Sequence, residues 1–439
     1  MNRHRVCLVL PTNRACSPMI SAIGAEAAYA VRHFGVEVHL LILDSCDEPT
    51  FAEHARTVAA LAPHPHITVH HLDETRQRDF LRTVIDRARV PKPDLMLDLM
   101  LPPEVSYGAC TNRAFLIAAA LGCRSVHRRD SDSRYQTKDG APVFPVHPEL
   151  TALGRRAVEV AAEVSDTDLD PAYGGLPVSM VGGSFIGELS VDIAEMRRLD
   201  PDVYDDVVSL WAPGHWTEEQ KRALVAESFT GAGTAPYTED VTRLALVDPM
   251  RVDMCNIGFE HRVYERMPLP PARNTIGSDY FHIHLVHDAT LPGVLHNRHI
   301  ENFHTPERRT DTGFAAYQTR FVKFLLSMLY FNFVYDRMAA AGATLLDHRQ
   351  EIRADAVAAL LRESTGLDRT ENEWRLDRVD DAYRQLGGRY TEFAEALLPR
   401  RERLLDEARQ DIEDFALLTE AWAPLVGASR DTGLAGATP

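Results

Sequence analysis

The sequence predicts an α/β fold, a mostly parallel sheet flanked by helices, followed by a helical C-terminal region. Three observations carry this. Short apolar runs alternate with helix-length periodic stretches over the first 90 residues, each run stops at a turn-forming or acidic residue, and from Gly313 the pattern changes to long stretches rich in Ala, Leu, Glu and Arg.

Residues 5–10 (RVCLVL) form an apolar run stopped by Pro11-Thr12-Asn13-Arg14, and residues 17–34 place apolar side chains at helical spacing. That is strand, loop, helix. Residues 36–43 (VEVHLLIL) make a second strand ending at Asp44, residues 49–62 a second helix, residues 67–72 a third strand and residues 76–89 another helix. In a parallel sheet built this way, ligands sit beyond the carboxyl ends of the strands. Pro11, Thr12 and Asp44 are therefore site candidates on topology alone. A helix over residues 114–121 ends at Gly122, and a short extended run leads to Asp130. The middle, residues 166–271, is punctuated by Pro and Gly, with a short strand at 178–180 and a helix near 218–228. Loops at 341–347 and at Gly387-Gly388 divide the helical region. The organisation expected is a catalytic α/β domain over 1–312, a helical region over 313–426 and a disordered tail over 427–439.

The chain has 439 residues, 45% of them hydrophobic and 25% charged, enough for a sizeable core. A formal charge of -17 excludes a general phosphate-backbone binder, so no nucleic acid is expected and any phosphate must be met by a local site. The basic N-terminus carries only a short apolar run before Pro11, which lacks a signal-peptide core and points to a cytoplasmic protein. The stretch 321–335 contains Lys323 and Asn332 and is shorter than the roughly 20 residues of a membrane span, so it reads as a buried helix and no membrane is expected. Six cysteines without CxxC pairing read as reduced structural thiols.

Three constellations could carry chemistry. Asp130-Ser131-Asp132 puts two carboxylates one residue apart beyond a strand, where they can present oxygens to Mg²⁺ or Mn²⁺ against a diphosphate. Similar patterns at Asp166/Asp168/Asp170 and Asp200/Asp202 read equally as solvated loop or helix-cap aspartates. His282, His284, His287, His296, His299 and His304 cluster within 23 residues, and a neutral imidazole can complete a carboxylate metal site or simply serve as a structural hydrogen-bonding group. Gly182-Gly183-Ser184 offers a backbone that a ligand can approach closely, or a plain turn. No Walker P-loop, GxSxG elbow or GxGxxG follows the first strand, which lowers kinase-like, esterase and dinucleotide readings.

Leu10-Pro11-Thr12-Asn13-Arg14, Asp44, the helix opening at Gly108 to Arg113, its end at Gly122 and the following Asp130-Ser131-Asp132 together resemble the GT-A glycosyltransferases. The resemblance covers Arg5 to about Pro306 and is nearest to retaining glucosyl- and mannosyl-phosphoglycerate synthases. Two features depart from it: the run before DxD is the polar Ser125-Val126-His127-Arg128-Arg129, and Asn112-Arg113 reverses the usual order. The resemblance implies a GT-A-like, Rossmann-like fold and sugar transfer from a UDP- or GDP-sugar to a small polar acceptor. It implies nucleotide-sugar contacts from Pro11, Thr12, Arg14, Asp44, Asn112, Arg113, Asp130, Gly182 and Gly183. Metal ligation by Asp130, Asp132 and His304 follows, with His299 and His296 as substitutes. Catalytic roles fall to Asp279, in the acidic acceptor-side segment 274–280, and Arg129, with Arg128, Arg308 and Arg309 assisting. The helical region would cover the acceptor site or form a homodimer interface. Two rival readings are a hydrolase or nucleotidyltransferase with its own His/Asp metal centre, and a non-catalytic sugar-nucleotide-binding protein.

Overall fold

The structure is a computed structural model that describes residues 3–188, 193–303 and 310–434. Strand β1 (Arg5–Thr12) lies between β2 (Glu37–Asp44) and β4 (Ser125–Arg129), with β3 (Ile67–Leu72) at the edge, and all four run parallel. The interiors of β1 and β2 are mainly apolar without alternation because helices cover both faces. Among the described residues the sheet continues to nine strands. The strand Asn256–Glu260 pairs antiparallel with both β4 and Met180–Gly182, so the far half is mixed within a sheet that is mostly parallel, as expected. A smaller sheet joins Phe185–Gly187, Ile300–Asn302 and β5 (Ser133–Tyr135).

Local chemistry sets the helices between the first strands. Helix α1 (Ser17–Phe34) opens with Pro18 in its first turn and closes at Gly35 in the left-handed region. Helices α2 (Glu48–Ala59) and α3 (Glu74–Ala88) are capped by Asp47 and Asp73, whose carboxylates accept from the Thr50 and Arg76 amides. Helix α4 (Pro93–Met100) leads into α5 (Tyr107–Ala120), capped by Ser106.

Helix α1 packs on one face of the sheet. The other face, under α3 to α5, shares a single core with the long helices Asp311–Ala341 and Arg401–Thr432. Trp422, fully buried, donates its indole N–H to the Tyr264 carbonyl at 2.9 Å. The last helix runs through residues expected to begin a disordered tail: Ala428 and Ser429 are buried, because small side chains let the helix lie close to its neighbours. The stretch 321–335 is buried helix, as expected, and no helix among the described residues is long and apolar enough to cross a membrane. All six cysteines are free.

Candidate functional site

The register Thr12↔Asp44 aligns the carboxyl ends of β1 and β2, and β4 ends beside them at Arg129. Beyond these ends lies a groove of about 240 Å³, lined among others by Pro11, Thr12, Arg14, Arg113, Asp130 and Asp132. Thr12 folds the loop by donating its hydroxyl to the Arg14 carbonyl at 2.8 Å, and the Arg14 guanidinium reaches Asp132 at 3.0 Å. The N-terminus of α5 points into the same groove through Tyr107 and Cys110. Gly108 is required there, since a Cβ would stand 1.9 Å from the Pro270 carbonyl oxygen.

Asp130 follows β4 and is partly exposed. Arg128 lies within 3.2 Å of Asp130 and donates to Asp279 at 2.5 Å. Burial pushes the Asp130 carboxyl up to about 6; Arg128 opposes the rise, and Asp132, Asp253 and Asp279 reinforce it. Asp253 is a member of this acidic group that the sequence did not reveal, and it accepts from the Tyr280 hydroxyl at 2.6 Å and the Cys255 amide at 2.9 Å. A second cavity, of about 230 Å³, opens from the groove toward the C-terminal helices. Tyr107, Arg128, Asp130 and Asp132 line both.

Several expected site residues lie elsewhere or do other work. Arg129 is fully buried on the opposite face of β4, paired with Glu26 at 2.8 Å and Glu149 at 2.9 Å, so it is a core ion pair and has no access to a substrate. Asn112 is fully buried and clasps Leu269, donating to its carbonyl at 2.8 Å and accepting from its amide at 2.7 Å. Arg113 borders the groove, but its guanidinium is committed to Gln77 and the Met100 carbonyl. Gly182 and Gly183 pack against neighbouring strands. A Cβ on Gly182 would meet Val252 at 2.5 Å, and one on Gly183 would meet Asn256 and His296 at 2.7 Å. Ser184 and Phe185, just beyond them, border the second cavity.

Asp44 ends β2 as expected, yet its carboxylate is enclosed and does not line the groove. It accepts from His54 Nδ1 at 2.7 Å, His71 Nε2 at 2.8 Å and the Cys46 amide at 3.0 Å. Burial alone would raise it, but the hydrogen bonds from His71 and His54 hold it well below the usual carboxylate range. Asp44, Cys46 and His54 are the one group of possible metal ligands found together among the described residues. However, the Cys16 amide donates to His54 Nε2 at 3.0 Å, which places the His54 proton on Nδ1 toward Asp44. That leaves His54 no lone pair for an ion.

The histidine cluster disperses. His282 bonds to the Met267 carbonyl, His284 stacks on Tyr335, and His287 pairs with Asp288, so the separate metal centre expected of a hydrolase is not formed by these three. His296 packs on Gly183, and His299 accepts from the Ser184 amide at 3.0 Å. His304, Arg308 and Arg309 lie outside the described residues. The chain leading to His304 does reach the aspartates: Asn302 pairs with Ser133, and the Phe303 amide donates to the Asp132 carbonyl at 3.4 Å. Elsewhere, Asp170 and Asp200 cap helical turns while Asp166 and Asp168 pair with Arg243.

A family model matches residues 4–438, nearly the whole chain. The chain belongs to the family of unknown function DUF6271. No curated protein matches it. Among solved structures, a mycobacterial protein is similar at 14% identity and a TM-score of 0.35, over 74% of each chain. A mannosyltransferase from Pyrobaculum calidifontis, in complex with GDP-Man and Mn²⁺, is similar at 13% identity and a TM-score of 0.36, over 96% of this chain and 88% of that one. Mouse xyloside xylosyltransferase 1 is similar at 13% identity and a TM-score of 0.20, over 45% of this chain and 59% of that one. Likeness at these scores assigns no activity to the chain.

Proposed function

We propose that this DUF6271 member is a GT-A-like glycosyltransferase that moves a sugar from a nucleoside diphosphate sugar to an acceptor hydroxyl. The observation that carries the reading is the position of Asp130 and Asp132 at the junction of two cavities, one over the strand ends and one under the helical region. A two-substrate transfer needs such a junction, because donor and acceptor must meet at one atom.

The residues present fit a divalent cation. Asp130 and Asp132 offer hard oxygen donors, and the neighbouring Asp253 and Asp279 add negative charge that raises Asp130. When bound there, Mg²⁺ or Mn²⁺ would supply electrostatic stabilisation to the departing diphosphate. The chain's own contribution is orientation. The α5 N-terminus faces the groove with its positive dipole end and suits a phosphate, while Arg14 and Arg128 hold the carboxylates in place. In the transfer, the bond from the anomeric carbon to the diphosphate oxygen breaks and a bond to the acceptor oxygen forms. The acceptor proton passes to the Asp279 carboxylate, and nucleoside diphosphate departs.

Melting the protein with UDP or GDP in the presence of Mn²⁺ tests this. Ligand at about 100 times its Kd stabilises a native state by about 2.7 kcal/mol, a readable shift. Asp132→Asn should lose that shift and the transferase activity while the metal-free melting temperature stays within a few degrees. No shift with either nucleotide, or an undiminished shift in the variant, would overturn the assignment. Binding without hydrolysis or transfer of any donor sugar would favour a non-catalytic binding protein.

A further inference from the structure

The cavity beyond Asp130 has a wall that the transfer reading does not itself require. Phe324, Met328, Phe331 and Tyr335 recur at helical spacing along Asp311–Ala341, and all four line it. Trp211 completes the wall, edge-on to Phe324 at 5.2 Å. Part of the stripe packs on other elements, Phe331 and Tyr335 on Phe281 and Tyr335 on His284, and the same stripe also borders the cavity. Across from it, Gly277 at φ +72 lies against Phe324, where a Cβ would come within 3.0 Å of the ring.

Charge is arranged against an anionic guest. Arg128 is the single arginine or lysine among the described residues lining the cavity, and it is spent on Asp130 and Asp279. His284 adds no positive charge, because burial pushes it down to about 3. The carboxylates deeper in the lining are partnered: Asp411 lies 3.1 Å from Lys323, and Glu227 3.0 Å from Arg251. Three polar atoms are left over, one of them the Nε of Arg128, whose terminal nitrogens hold Asp130 and Asp279. The Ser278 hydroxyl and the Asn302 side-chain oxygen are both buried and without a hydrogen-bond partner, and both residues line the cavity near the aspartates. Unpaired buried polar atoms are costly, so a ligand hydroxyl there would be stabilising.

We propose that this cavity receives an uncharged acceptor bearing an aromatic or similarly apolar ring and one hydroxyl directed toward Ser278, Asn302 and the Asp130/Asp132 pair. This rests on the glycosyl-transfer reading for the role of the bound molecule. It replaces the polar acceptor implied by the phosphoglycerate synthases, whose phosphate would find only the paired Arg128 among the described arginines and lysines lining the cavity. A volume of about 230 Å³ is ample for a one- or two-ring compound, given that an apolar cavity of about 150 Å³ holds benzene.

Titration calorimetry with 2-naphthol and with 3-phosphoglycerate separates the two acceptor classes. Ile276→Trp and Met250→Trp, two partly exposed lining positions, should each fill the cavity, and Ser278→Ala should remove one hydroxyl anchor. The expected result is binding of 2-naphthol but not of 3-phosphoglycerate, weakened at least tenfold by either tryptophan and about threefold by Ser278→Ala. The response to nucleotide and Mn²⁺ should be kept in all three variants. Tighter binding of 3-phosphoglycerate, or 2-naphthol affinity unchanged by both tryptophans, overturns the proposal. A nucleotide response without 2-naphthol binding overturns it while leaving glycosyl transfer standing. Binding of 2-naphthol with no nucleotide response removes the acceptor role, because the reading beneath it has then failed.

Discussion

The two faces of β4 treat adjacent arginines differently. Arg129 points to the closed face, where Glu26 and Glu149 hold it, Tyr135 donates to Glu26 at 2.5 Å and His127 donates to Glu149 at 2.7 Å. Arg128 points to the open face, where Asp130 and Asp279 share it, Arg14 holds Asp132, and Asp253 adds its charge beside Asp130. Burial raises a carboxyl on either side. On the closed face Arg129 and His127 overcome it and Glu149 is pulled down to about 2, whereas on the open face Asp130 stays up at about 6. The closed face is a finished polar core with its donors and acceptors matched. The open face carries surplus negative charge and room beside it, which is where a cation and a substrate gain most.

Arg129→Met should break the comparison most visibly. Removing one partner of a buried pair typically costs about 3–5 kcal/mol, and here it strands Glu26 and Glu149 together. Arg128→Met should cost clearly less, because the carboxylates it leaves border a groove and a cavity that water and cations reach. Urea unfolding of both variants decides it: equal losses would mean that the two faces do not differ in kind. Next in size, Asp44→Asn leaves His54 and His71 facing an amide and should cost about 1–3 kcal/mol of stability. Nucleotide affinity should hold within about twofold. A weakened nucleotide at unchanged stability would move Asp44 into the site and redraw its boundary.

The sequence made the fold class and one end of the site legible, because both are local. Apolar runs, helix-length periodic stretches and the break at Pro11 each act within a few residues. Asp130 and Asp132 were readable for the same reason. The roles of Arg128 and Arg129 were not, since a strand covered on both faces gives no pattern that tells its site side from its core side. Asp253 escaped notice because only the antiparallel strand Asn256–Glu260 brings it to β4, and that pairing has no local signature. Density of histidine in sequence also failed to become density in space. His282 and His284 sit two apart on a helix and so point away from each other, one to a carbonyl and one to a ring. Asn112 shows the same limit, for its clasp on Leu269 depends on a segment more than a hundred residues away.

The smallest effect expected is a dependence of stability on pH, and it sharpens the contrast because the two faces should respond with opposite sign. Asp130 has its folded value raised from 3.8 to about 6, so its favourable contribution is complete below the ordinary value and is lost as pH rises through about 6. Glu149 is lowered from 4.5 to about 2, so its contribution is present above the ordinary value and is lost only as pH falls through about 2. Between pH 5 and 7 Glu149 is therefore silent and Asp130 alone of the pair titrates. Metal-free wild type should lose on the order of 1–2 °C of melting temperature over that interval relative to Asp130→Asn, the modest shift that a chain of this size gives for about 1 kcal/mol. Mn²⁺ should shrink the loss, because a cation bound at the aspartates favours the ionised form. Parallel curves for wild type and Asp130→Asn would show that the open face is already neutralised, and the surplus charge that distinguishes it from the closed face would be gone.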